Sequence, residues 1–252
     1  MQNYILAEKY ISYKKKLYSI IEDFDTFTDI LGNPERNIIK KIPFQNDCIA
    51  VKSFKKPHFI NKIAYKYFRK SKAERSFLHG EKLLKLGILN PEPIAYIENS
   101  DLIGITSSFY ISYYTPYDFT IREVYDQPDA IQCVRAYARF SHFVHSKGVF
   151  IKDNTPGNTL VIRKDNKYEM YLVDLNRMQF HNELTFDQKM KSLSNNIKEQ
   201  PYLDIFMNEY ALASGYAIEE IKEKIFFYQG EFARKMKSKA KLKKRLRKLF
   251  PV

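Results

Sequence analysis

Asp153, Asn158 and Asp174 are the residues of this sequence whose types and spacing suit a defined chemistry. Asp153 and Asn158 stand five positions apart, with Pro156 and Gly157 between them. Asp174 follows sixteen positions after Asn158, at the end of the apolar run Tyr171-Leu172-Val173. A carboxylate and an amide on one loop, then a second carboxylate at a strand end, is the set that phosphoryl transfer from ATP uses. One Asp accepts or orients a hydroxyl proton; an Asn and a second Asp hold Mg²⁺ on the triphosphate oxygens. With the ordinary pKa of an Asp, Asp153 is a weak base, so its main work would be to orient the hydroxyl for in-line attack. Taken singly, Asp153 reads as an Asx turn and Asn158 as a loop cap; Asp174 at the right distance joins them.

The elements that must position these residues can be read around them. Thr159 to Ile162 and Tyr171 to Val173 form two strands about a polar turn at Lys164 to Lys167, so the loop is followed by a hairpin. Upstream, Pro128 suits a first helical turn. Ile131, Val134, Ala138, Ser141 and His145 then share one helical stripe, which makes His145 a buried prop for the loop. Further upstream, Asn37 to Ile42 and Ile49 to Phe54 read as antiparallel strands after a turn at Gly32 to Glu35. Ser71 and Glu74 carry a capping-box spacing, so a helix runs from there to about Leu86 and stops at Gly87. Ile94 to Glu98 and Ser107 to Tyr113 are the next strands. Residues 1 to 30 mix Tyr, Ile and Lys without a clear period and read as short strands or a helix. Residues 185 to 230 read as helical. The last stretch, 231 to 250, is a cationic helix whose positive residues include Arg234, Lys235, Lys237, Lys239, Lys241, Lys243 and Lys244, with Met236, Leu242 and Leu246 on a partial apolar face.

Composition narrows the class. Hydrophobic residues make up 44% of the 252, and 19 Tyr with 19 Phe supply bulk for a core, which excludes general disorder. The formal net charge of +13 attracts anionic partners, and most of the surplus lies in the cationic tail. Nucleic-acid binding would rest on that charge alone and is not expected. Cys48 and Cys133 have no metal-type spacing and read as reduced, buried thiols of a cytoplasmic protein. The N-terminal residues lack the apolar core of a signal peptide, and no run is long enough to span a bilayer.

The wording H-x-x-G-V-x-x-x-D-x-x-P-G-N-x-L from His145 to Leu160, continued by V-D-L-N-R from Val173 to Arg177, resembles the lipopolysaccharide core kinases. These are bacterial enzymes of the protein-kinase-like superfamily that phosphorylate Kdo or heptose in the inner core of the lipid-A-linked saccharide. The similarity extends over about residues 30 to 180 and is most specific between 145 and 177. It implies an α+β, two-lobed protein-kinase-like fold. Residues 1–114 would form a smaller lobe, an antiparallel sheet with one main helix. Residues 115–252 would form a larger, mainly helical lobe, and Tyr113 to Pro116 the hinge.

The same resemblance assigns roles. Lys52, in Val51-Lys52, matches the lysine that holds the nucleotide phosphates. Asp153 matches the catalytic Asp, and Asn158 and Asp174 the magnesium ligands. Lys152 keeps a positive charge where relatives have Arg, and Ile151 replaces a His. No G-x-G-x-x-G is present; Gly32 with Arg36 and Asn37 would be a degenerate phosphate-covering hairpin, or an ordinary turn. The glutamate expected to pair with Lys52 falls where this chain has Leu78, so Glu81, one turn on, is the candidate, with Glu74 engaged in capping. An Ala-Pro-Glu segment is absent after Asp174, which favours a non-protein acceptor. ATP and Mg²⁺ are the implied cofactors, a saccharide or glycolipid the implied acceptor. The implied location is the inner face of the inner membrane, with the basic tail on anionic lipid. Rival readings are a kinase of the same superfamily acting on a protein or small molecule, and a nucleotide-binding pseudokinase.

Overall fold

The computed structural model describes residues 2–33, 37–56, 65, 69–152, 154–165 and 167–249. Arg36 and Asp153, both candidates above, lie outside the described residues, as does most of the basic and aromatic stretch 57–68. The chain divides into two compact units. The first comprises Met1–Asp118 and Tyr171–Arg177, the second Phe119–Met170 and Met178–Val252. The short stretch that carries Asp174 is thus a member of the first unit despite its place in the sequence.

The first unit is built on a five-stranded antiparallel sheet in the order β1-β4-β5-β3-β2, with β1 at Gln2–Leu6, β2 at Asn37–Phe44, β3 at Asp47–Phe54, β4 at Pro93–Ser100 and β5 at Ile105–Tyr113. Side chains alternate between the faces of a strand. Ile42, Ile49, Val51, Ala95, Ile97 and Ile111 face one way, where helix α1 (Lys14–Glu22) packs Leu17, Ile20 and Ile21 on them. Phe54, Tyr96 and Tyr110 face the other way, onto Ala73 and Phe77 of helix α2 (Lys72–Lys85). Both faces of β4 are covered, so it is buried throughout Pro93 to Glu98 and shows no polar alternation. The N-terminal stretch, read from the sequence as short strands or a helix, supplies both: strand β1 at the sheet edge and helix α1 on one face.

Helix α2 begins as its sequence predicts. The Ser71 hydroxyl accepts a hydrogen bond from the Glu74 amide at 3.1 Å. The Glu74 carboxylate itself turns to Lys70, at 3.3 Å. The helix stops at Leu86 and Gly87, the latter at φ +75°.

The second unit centres on helix α3 (Ala130–Ser146), which packs against α5 (Gln200–Ser214). Tyr137, Phe206 and Tyr210 stack through its core, with ring centroids 5.6 and 6.4 Å apart. Strand β6 (Phe119–Thr120) pairs with β8 (Thr159–Lys164), which continues into β9 (Lys167–Leu172). Strand β7 (Val149–Ile151) pairs with β10 (Met178–Phe180). Helix α4 (Phe186–Leu193) and the long α6 (Ile218–Leu249) complete the unit. Ile131 departs from the expected buried stripe of α3 and is exposed, whereas Val134, Ala138, Ser141 and His145 are buried. Cys133 is buried but Cys48 is partly exposed; both are free thiols. No helix among the described residues is long and apolar enough to cross a membrane.

Candidate active site

Lys52 lies on β3 opposite Tyr110 of β5, on the sheet face that receives α2. Its ammonium sits 5.2 Å from the Phe54 ring centre and 2.6 Å from Asp174 Oδ1. The Lys52 side chain is 13% exposed and that of Asp174 40%. Two residues 122 apart in sequence thus meet as a close ion pair inside the first unit.

Asp174 has φ +58°, the left-handed region that, among non-glycine residues, Asn and Asp enter most readily. Such backbone persists at functional sites when neighbours hold it there. Here the Asn176 amide donates to the same carboxylate oxygen at 2.8 Å, and Lys52 holds it from the sheet. Burial alone would raise the Asp174 pKa; Lys52, then Arg177 and Asn176, more than offset it, so the carboxyl lies below its ordinary 3.8. Asp174 stays an anion at neutral pH.

The turn Leu175–Arg177 that follows is pinned by α2. His79 Nδ1 donates to the Leu175 carbonyl at 2.8 Å. Burial, with Arg75 and Lys82 nearby, holds the His79 ring below the usual range and so neutral. Gly80 allows the approach: a Cβ there would come within 2.6 Å of Pro93 Cγ and 3.3 Å of Leu175 Cδ1. Lys72 and Arg75, on the same stripe of α2 as His79, lie in the field of Arg177 and of each other.

The structure corrects the expected lysine–glutamate pair. Lys52 is bound by Asp174, and Glu81 forms no ion pair among the described residues; its charge is felt instead at the Tyr110 phenol. Leu78, the position at which the resemblance implies a glutamate, packs against the apolar cluster of Phe54, Phe77, Tyr96 and Tyr110. Among the described residues no α2 carboxylate pairs with Lys52.

The second unit holds the rest of the candidates. Helix α3 ends with buried His145, whose Nδ1 lies 2.9 Å from the Tyr210 hydroxyl. Burial, helped by Lys189 and His142, lowers the His145 pKa to about 3, so the ring is neutral. Gly148 follows at φ +70°, and a Cβ there would sit 1.9 Å from the His181 carbonyl oxygen. The spacing of His145 and Gly148 is therefore that of a helix end: the histidine anchors the last turn and the glycine lets the chain reverse onto His181. Ile151 is buried and pairs with Met178, which fixes the start of the loop. Lys152 is exposed. Asn158 closes the short helical turn Pro156–Asn158, its amide bonded to the Thr155 carbonyl at 2.9 Å. The Arg122 guanidinium lies across Gly157, where a Cβ would meet its Nη2 at 2.7 Å. The sequence reading passed over Arg122, Lys72, Arg75 and His79. Only the three on α2 carried a signal, a polar stripe at positions 72, 75 and 79 of a helix whose other side is apolar.

No family model matches the sequence, and no curated protein matches it. Solved structures do. The protein described as WaaP in complex with acyl carrier protein matches over 94% of this chain and 98% of its own, at TM-score 0.57 and 15% identity. The Rio2 kinase of Chaetomium thermophilum, solved as an ADP/Mg²⁺-phosphoaspartate complex, matches over 87% of this chain and 75% of its own, at TM-score 0.49 and 13% identity. The first likeness shows the fold. It is α+β and protein-kinase-like, the architecture that the resemblance to lipopolysaccharide core kinases implied.

Proposed function

We propose that this protein is an ATP-dependent kinase that phosphorylates a sugar hydroxyl, in Kdo or heptose of the lipopolysaccharide inner core. The observation that carries the phosphotransferase reading is the 2.6 Å pair of Lys52 with Asp174, an aspartate in the left-handed region that is held from two sides. The acceptor rests on the motif from His145 to Arg177 and on the lack of an Ala-Pro-Glu segment.

In this reading Lys52 reaches the nucleotide phosphates from the sheet floor and Asp174 supplies a carboxylate to Mg²⁺; Asn158 is the second ligand that the resemblance implies. A carboxylate and an amide oxygen fit that ion, which prefers hard oxygen donors and takes most of its other ligands from phosphates and water. Bound there, Mg²⁺ would neutralise charge on the β and γ phosphates. The protein's own residues do the remaining work. Lys52 and Asp174 neutralise each other without nucleotide, so neither charge is left uncompensated on a largely buried sheet face. Asn176 and Lys52 hold the Asp174 carboxylate in one orientation. Asp153 would take the hydroxyl proton or aim the hydroxyl at phosphorus, and Lys152 would add positive charge beside it.

The basic helix α6 supports an anionic membrane surface as partner, at the cytoplasmic face where ATP and nascent core saccharide meet. Arg234, Lys235, Lys237, Lys239 and Lys241 are exposed on it, interleaved with exposed Phe232, Met236 and Leu242. The test of function is direct. The protein is incubated with labelled ATP, Mg²⁺ and core saccharide from a strain lacking it, and the product is mapped by mass spectrometry. Phosphate on a Kdo or heptose hydroxyl, lost in Asp174→Ala, is the expected result. ATP binding without transfer to any saccharide would favour a pseudokinase.

A further inference from the structure

We propose that Ser192 and Asn196, at the C-terminal end of helix α4, are positioning residues that hold the two ends of the loop joining β7 to β8. Ser192 acts directly, and Asn196 through one buried water shared with Thr159 and Tyr137. The catalytic meaning of that loop rests on the kinase reading above; the hold on it does not.

The first end is a direct contact. The buried Ser192 hydroxyl donates to the Ile151 carbonyl at 3.4 Å, and Ile151 is the last residue of β7. The second end is Thr159, the first residue of β8. Thr159 and Val161 share one face of that strand. Val161 packs in a single buried cluster with Tyr137, Leu193 and Ile197. Asn196 sits beside Ile197 in a turn that its own amide closes on the Leu193 carbonyl at 3.0 Å. Thr159 and Asn196 are both 0% exposed. The Thr159 hydroxyl and both polar atoms of the Asn196 side chain have no hydrogen-bond partner among the described residues. Burial pushes the Tyr137 phenol up, and Thr159, Ser141 and Asn196 draw it back down, as polar neighbours of its hydroxyl do.

A buried amide and a buried hydroxyl without partners are unfavourable. A water with about two to four polar partners relieves that, and such waters are part of a fold. Here three neutral groups come from three elements: Tyr137 from α3, Thr159 from β8 and Asn196 from the end of α4. None carries a charge, so the site suits water rather than an ion. The Tyr137 ring is itself fixed against Phe206, with centroids 5.6 Å apart, which places its hydroxyl. Asn158 immediately precedes Thr159 and bonds the Thr155 carbonyl within the loop, so a hold on Thr159 is a hold on the Asn158 backbone.

The test combines a high-resolution crystal structure of the full chain with hydrogen exchange, read by mass spectrometry, of wild type, Asn196→Leu and Thr159→Val; melting of each protein controls for folding. The crystal structure is expected to show one water within hydrogen-bonding distance of Asn196, Thr159 and Tyr137. Direct bonds among these side chains, with no water between them, would overturn the bridge. Leucine and valine match asparagine and threonine in size but cannot bond the water. Peptides covering residues 154–162 should therefore exchange roughly tenfold faster or more in each folded variant, with the sheet of the first unit unchanged. Wild-type exchange in a folded variant would show that packing alone is at work and would overturn the proposal. Titration with ATP keeps the two readings apart. A loosened loop in a chain that binds no ATP would uphold the hold and sink the kinase reading; ATP binding with an unaltered loop would do the reverse.

Discussion

Asp174→Asn replaces one carboxylate oxygen with an amide nitrogen, removing a charge and little else. Asparagine tolerates the left-handed backbone at φ +58°, so strain does not confound the change. Lys52 then keeps an 87% covered side chain without its anion; the figure is the complement of its 13% exposure. An exposed ion pair contributes about 0–1 kcal/mol, whereas removing one partner of a buried pair costs about 3–5 kcal/mol. Asp174 is 40% exposed, so solvent screens its end of the pair and the cost falls between those limits, at about 1–3 kcal/mol. For a chain of this size that lowers Tm by roughly 5 °C. The sign of the pH effect follows from the depressed Asp174 carboxyl. Its contribution is complete above the ordinary value of 3.8 and is lost as pH falls through the lower folded value. The stability gap between wild type and variant should be level at neutral pH and close in acid. Nucleotide binding separates the two roles of Asp174. Without metal, the variant should bind ATP as well as the wild type or better, because a negative group next to phosphate is gone. The gain in ATP affinity that the wild type draws from Mg²⁺ should vanish. Differential scanning calorimetry and titration calorimetry with and without Mg²⁺ read both effects. A variant with unchanged Tm and an intact Mg²⁺ gain would refute the assignment.

Other expectations are as direct. His145, neutral when folded, takes up a proton on unfolding below its ordinary value of 6.5. Its folded pKa is depressed, so stability is full above 6.5 and falls by up to about 1.4 kcal/mol per pH unit from there towards pH 3. Urea midpoints at pH 7 and 5 should show this fall, and His145→Gln should show less of it. Gly148→Ala meets both a positive φ and a backbone oxygen 1.9 Å away; it should cost at least about 2 kcal/mol, read as a lowered Tm, and a melt like the wild type's would contradict the close packing on His181. Gly80→Ala should loosen the hold of α2 on Leu175 and lower ATP affinity with stability, because its Cβ would press on Pro93. Changing Lys237, Lys239 and Lys241 together to Gln should weaken sedimentation with anionic vesicles by roughly a hundredfold, at about 1 kcal/mol per charge; unchanged binding would exclude α6 as the membrane contact.

The residues themselves determined a good deal. The alternating strands, the Ser71 cap, the Gly87 stop and the buried His145 all follow from local rules, because side-chain period and backbone preference act within a few positions. The proposal of phosphoryl transfer starts from the spacing of Asp153, Asn158 and Asp174, which is legible because loop and hairpin are continuous in the chain. Long-range pairing was another matter. Counting along the helix points to Glu81 for Lys52, but a helix's rotation about its axis is set by what it packs on. Phe77 and Leu78 lie against Phe54, Tyr96 and Tyr110, and that packing leaves Lys52 to Asp174. The meeting of Lys52 with Asp174, 122 positions away, is equally hidden, since each is an ordinary charged residue in its own segment. Sequence settled which groups are available; the folded sheet and helix α2 settled which of them share one electrostatic field, because that depends on distance in space and on exclusion of water.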